Sequence, residues 1–111
     1  MELDMNLEVL AIGFPLSDRL RRVVERKLAF TLSRFASRLR RVVVRLDDLN
    51  GPRGGIDKRC RIEATMADGR HLFAEDHDAT WMGAVGLCSG RVGRAVGRRV
   101  ERARDPWRRP A

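Results

Sequence analysis

Arginine is the residue through which this chain can do chemistry. Arg19, Arg22 and Arg26 recur every three or four positions, with Lys27 beside them, and Arg91, Arg94, Arg98 and Arg102 repeat the spacing further along. On a helix, that spacing gathers side chains into one stripe. Two more cations, Arg53 and Lys58, stand in the turn-rich segment DLNGPRGGIDKRCR, residues 48–61. A guanidinium stays charged at any physiological pH and offers a planar fork of donors that matches phosphate oxygens. The chemistry on offer is capture of a polyanion.

Other constellations are weaker. Cys60, His71, His77 and Cys88 lack the close pairwise spacing of zinc ligands and read as core thiols and surface histidines. Asp76-His77-Asp78 has acid–base side chains, but Asp78 reads better as the N-cap of a helix. GPRGG lacks the Lys-Ser/Thr and the following helix of a phosphate-binding P-loop. Trp107 offers a ring for stacking, yet beside Pro106 it reads as a residue packed under a helix end or lying in a tail. No nucleophile, base and orienting group can be assembled, so the expectation is a binding protein without catalysis, metal or cofactor.

Charge distribution sharpens this reading. The 111 residues carry a net charge of +8 and a sequence pI near 11.2. Residues 1–16 have three acids and no base; residues 17–45 have ten basic and two acidic side chains. Residues 46–78 have five basic and eight acidic, and residues 79–111 have eight basic and two acidic. Two positive blocks thus alternate with two negative ones, which favours a binding face over an evenly solvated surface. The hydrophobic fraction of 43% is ordinary for a globular domain. No apolar run approaches the roughly 18 residues of a membrane span. The acidic start MELDMNLEV has no secretory pattern, and two cysteines make no disulfide framework. These features predict a cytoplasmic protein.

The elements that must position the arginines follow from periodicity. Leu3, Met5, Leu7 and Val9 alternate with polar residues, which predicts a half-buried strand. Ser17 is placed as an N-cap, and Leu20, Val23, Val24, Leu28, Thr31, Leu32 and Phe35 predict an amphipathic helix over 18–36. Strands are predicted over 40–49 and 58–67, the latter turning Cys60, Ile62, Ala64 and Met66 inward. Asp68-Gly69 marks a hairpin into a short strand over 71–76, and a long helix follows to about Arg104. The order β-α-β-β-β-α predicts an α+β fold: a two-layer sandwich with a four-stranded mixed sheet and both helices on one face. Residues 1–104 are read as one domain and 105–111 as a short basic tail. The last helix also has Gly83, Gly86, Gly90, Gly93 and Gly97 in one stripe. Such a stripe is either a groove for close helix packing, the favoured reading, or a softened helix.

Four pieces of the chain then carry a resemblance. LSDRLRRVVERKLAFTLSRFASRLRRVVVRL, residues 16–46, is similar to the first helix and second strand of the ribosome hibernation-promoting factor and ribosome-associated inhibitor family, also called sigma-54 modulation proteins. DLNGPRGGIDKRCRIEATM, residues 48–66, resembles the hairpin of a small proteobacterial branch of that family. AEDHDA, residues 74–79, and the Arg-rich last helix resemble its final elements. The chain departs from the pattern at Ala11, Ile12 and Gly13, where Gly-Arg-His is often found, and it reads as the short form, with the long form's dimerisation domain not expected. The resemblance implies a binder of the small ribosomal subunit and its rRNA that occupies the mRNA and tRNA path and represses translation. It implies a monomer in preference to an oligomer. Arg19, Arg22, Arg26, Lys27, Arg53, Lys58, Arg91, Arg94, Arg98 and Arg102 become the candidate rRNA contacts. The alternatives are a general RNA binder with no fixed ribosomal site, and a protein-interaction module that uses the sheet edge.

Overall fold

The structure, a computed structural model, describes residues 6–49 and 57–104. The hairpin tip with Arg53, the first residues of the predicted first strand and the tail with Trp107 lie outside the described residues. Strand β1 (Asn6–Ile12) leads to helix α1 (Asp18–Leu32), a 3₁₀ turn (Ser33–Arg38) and strand β2 (Leu39–Asp48). Strands β3 (Lys58–Met66) and β4 (His71–Asp78) follow, and helix α2 (Trp81–Arg104) closes the chain. The sheet order is β1-β2-β3-β4, with β1 and β2 parallel and the other pairs antiparallel. This is the expected α+β sandwich, with both helices covering one sheet face.

Alternation along the strands explains the two faces. Val9, Val44, Ile62 and Ala74 stand side by side across the sheet and are all buried. Leu46 and Cys60 extend that inner face, and Val24, Leu28 and Leu32 of α1 meet Val85, Cys88, Val92 and Val96 of α2 over it. Burying a Leu or Ile side chain contributes about 1.5–3 kcal/mol, so this single core carries the fold. The Cys60 thiol is pushed up in pKa by its hydrogen bond with Cys88 and by burial, and Cys88 Sγ donates to the Ala74 carbonyl. Both thiols are core groups, while His71 and His77 lie exposed on the opposite face.

Three boundaries differ from the sequence expectation by more than one residue, each for a local reason. Helix α1 ends at Leu32 and tightens into the 3₁₀ turn, which swings Phe35 into the core. Strand β4 continues to Asp78 because β3 pairs with it as far as Lys58 opposite Asp78. The N-cap of α2 is Thr80, not Asp78: Thr80 Oγ1 accepts from the Gly83 amide at 3.0 Å. The Asp78 carboxylate instead accepts from the Thr80 amide and hydroxyl, at 3.1 and 3.0 Å. Ser17 caps α1 as expected, accepting from the Leu20 amide at 3.1 Å.

The β3–β4 turn carries a titration signature. Gly69 takes a φ of +92°, which a Cβ would oppose. Asp68 accepts from the Arg70 amide at 3.0 Å and faces Arg99 of α2 at 3.5 Å. These two contacts, the amide first, hold its carboxyl below the ordinary value of 3.8. A depressed carboxyl contributes stability that is full above the unfolded value and is lost as pH falls through the folded one. Asp68→Asn should therefore flatten the acid limb of the stability curve below about pH 4 and lower the melting temperature slightly at neutral pH. Melts at a series of acid pH values, with the variant beside the parent, measure this.

Candidate nucleic-acid interface

Charge separates the two layers. Residues 18–38, α1 with its 3₁₀ turn, carry seven basic and two acidic side chains, net +5. Residues 81–104 of α2 carry six basic and one acidic, again +5. The four strands carry six basic and seven acidic side chains, net −1. The outer sheet face satisfies its own charges. Arg41 meets Glu8 at 2.7 Å, Arg45 meets Glu63 at 3.7 Å, and Arg59 and Arg61 converge on Asp47 at 3.2 and 3.1 Å. Among the described residues, positive charge without an ion-pair partner therefore lies mostly on the helices, with Arg40 of β2, which donates to the Ala67 carbonyl, as an exception.

The candidate residues divide by what they touch. Arg19, Arg22, Arg26 and Lys27 are exposed on α1, and none has an ion-pair partner among the described residues. Arg94, Arg98 and Arg102 are exposed along α2. Arg91 is committed to the sheet: its Nε and Nη2 donate to the Asp76 carboxylate at 2.8 and 3.1 Å. That fork raises the Arg91 pKa and ties α2 to β4. Lys58 is committed too. Its ammonium donates to Asp48 at 2.8 Å, lies 3.6 Å from Asp57 and sits over the Trp81 ring at 5.7 Å. The Asp48 hydrogen bond raises its pKa. With the Leu49 amide bonded to the Asp57 carbonyl at 2.9 Å, Lys58 closes the base of the hairpin. Arg53 lies outside the described residues.

The two helices run in the same direction, since Val23 and Lys27 face Met82 and Val85 while Phe35 faces Gly97 further on. Between them lies a furrow. Its far end is a cleft of about 530 Å³ lined by Thr31, Arg34, Gly93, Arg94, Gly97 and Arg98. Arg34 spreads over the Phe35 ring, 4.6 Å from its centre. Sequence reasoning missed Arg34, because its place on the wall depends on the 3₁₀ turn.

The glycine stripe resolves residue by residue. A Cβ at Gly93 would come within 2.7 Å of Thr31 Cγ2, and one at Gly97 within 3.4 Å of the Phe35 ring. A Cβ at Gly83 would run into the Asp78 carboxylate. Close approach thus accounts for Gly83 and Gly93, while a Cβ at Gly97 would only make ordinary contact with Phe35. It does not account for Gly86, beside which a Cβ meets nothing within 4 Å, or for Gly90, which meets only the far end of Arg94 at 3.4 Å.

The sigma-54 modulation protein / S30EA ribosomal protein family model matches residues 7–104. The chain belongs to that family. It is a family of ribosome-associated modulation factors, not of enzymes. The fold is shared with the N-terminal domain of Thermus thermophilus protein Y: 24% identity, TM-score 0.69, covering 85% of this chain and 98% of that one. A ribosomal subunit interface protein from Coxiella burnetii is similar at 14% identity and TM-score 0.66, covering 87% of this chain and 99% of that one. No curated protein matches the chain. Among the described residues no helix is long and apolar enough to cross a membrane.

Proposed function

We propose that the protein represses translation by lying in the mRNA and tRNA path of the small ribosomal subunit, held to rRNA by its helical layer. The observation that carries this reading is the charge polarity, net +5 on each helical segment against −1 over the strands. rRNA presents phosphates, 2′-hydroxyls and shape in place of an open major-groove code, and a broad basic layer of arginine forks suits such a target. The self-paired outer face of the sheet would look away from the RNA. The name of the Coxiella relative, a subunit interface protein, supports a site on the face where the subunits join. Arg19, Arg22, Arg26, Lys27, Arg94, Arg98 and Arg102 are the proposed contacts. Arg91 and Lys58 act by holding the layers together.

Occupancy makes a direct competition test. In a purified translation system the protein should inhibit without covalently changing any component, and excess mRNA with initiator tRNA should restore synthesis. Inhibition that both ligands leave untouched would move the site out of the path.

A further inference from the structure

The near end of the interhelical furrow differs from the basic far end. Phe30 is 80% exposed and Met82 is 70% exposed, and they face each other across a groove of about 380 Å³. Val23 and Val85 line it, and Arg26 and Lys27 stand on its lip. Single apolar side chains on a surface need no explanation. Two that converge over an apolar floor, inside a layer of net +10 charge from the two helical segments, do. Phe30 follows Arg26 by four residues and so continues the exposed stripe of Arg19, Arg22 and Arg26, away from the buried face of α1.

We propose that Phe30 and Met82 form a stacking platform for one unpaired nucleobase of RNA, with Arg26 and Lys27 holding its flanking phosphates. This rests on the RNA-binding reading above and adds a base-contacting site to it. A nucleobase is flat and apolar on its faces, and aromatic rings and thioether sulfur both favour such a surface. Its phosphates are negative, which fits the cations on the lip. A second copy of this chain fits poorly, because docking there would bring two strongly positive layers together. A protein partner would find an apolar notch, but one with two cations on its lip, Arg26 and Lys27, neither of which has an ion-pair partner among the described residues.

The test measures affinity for purified small subunits at one fixed salt concentration, using the parent, Phe30→Ala, Phe30→Leu and Phe30→Trp. In parallel, each is titrated into a short unstructured RNA carrying a single 2-aminopurine, whose fluorescence is quenched by stacking. Phe30 is too exposed for these changes to threaten the fold. The platform requires that Phe30→Ala lose roughly tenfold or more in affinity, that Phe30→Leu lose most of the same, and that Phe30→Trp retain it. Quenching should appear with the parent and Phe30→Trp and vanish with Phe30→Ala. Parent-like binding by Phe30→Leu would assign the notch to a protein side chain and overturn the proposal. So would a self-association of the free protein that Phe30→Ala abolishes. If the parent fails to bind small subunits at all, the function proposed above falls, and the quenching measurement alone decides the platform.

Discussion

Changing Arg94, Arg98 and Arg102 together to Glu should abolish association with the small ribosomal subunit, lowering affinity by about a hundredfold or more near 0.15 M salt, some 2.7 kcal/mol. Each arginine that meets a phosphate releases condensed counterions, so log affinity falls linearly with log salt at about 0.7–0.9 per contact. Removing three contacts should make that slope shallower by about two to three, and the new carboxylates add repulsion. These three side chains are exposed on α2, so the fold should survive and the melting curve should stay close to the parent's. Arg91 is left out deliberately, because reversing it would set a carboxylate against Asp76 and confuse loss of fold with loss of binding. Co-sedimentation over a salt series reads both quantities. Parent-like sedimentation would place the interface elsewhere on the molecule.

Along α2, the sign of a glycine replacement should change with position. Gly86→Ala and Gly90→Ala should stabilise by about 0.5–1 kcal/mol, since each gains helix propensity and meets open space or a flexible arginine end. Gly93→Ala should destabilise by about 1–2 kcal/mol net of that gain, because a Cβ 2.7 Å from Thr31 Cγ2 must displace a stiff β-branched residue. Gly93→Leu should cost more. Thr31 Oγ1 also donates to the Lys27 carbonyl at 3.0 Å, which holds the methyl in place. Thr31→Ser keeps that hydroxyl and removes the methyl, so it should rescue Gly93→Ala and give a positive coupling in a double-mutant cycle. Thermal or urea melts of the five single variants and the Thr31→Ser/Gly93→Ala double variant decide it. If Gly93→Ala proves as stabilising as Gly86→Ala, the helices do not depend on close approach at Thr31 and α2 is simply soft.

The architecture was readable because the periodicities are strong. Alternation at Val42, Val44 and Leu46 and at Cys60, Ile62, Ala64 and Met66 specified the buried face of two strands. Helical spacing did so for Val24, Leu28 and Leu32. What escaped was pairwise. Asp78 and Thr80 are both good caps by residue type, and only the backbone path makes Thr80 the cap and Asp78 its support. Lys58 and Arg91 look like any exposed cations until strand register brings Asp48 and helix packing brings Asp76 beside them. Phe30 did leave a trace, since it falls outside the apolar stripe that defines the inner face of α1. An aromatic residue in phase with arginines is a signal that counting apolar residues discards.

The parallel course of α1 and α2 also aligns their macrodipoles, each equivalent to about half a positive charge at the N-terminus and half a negative charge at the C-terminus. Residues 81–90, the first ten of α2, carry no charged side chain, and all of its arginines fall from Arg91 onward. Helix α1 differs, with Arg19, Arg21 and Arg22 at its N-terminal end and Arg34 and Arg38 beyond its C-terminal one. On α2 the backbone dipole therefore supplies positive potential where guanidinium groups are absent, and guanidinium groups cancel the negative pole where it would repel a phosphate. The two contributions level the field along that helix. A polyanion laid across it gains little by sliding, so charge alone sets the strength of the grip and leaves register to shaped contacts.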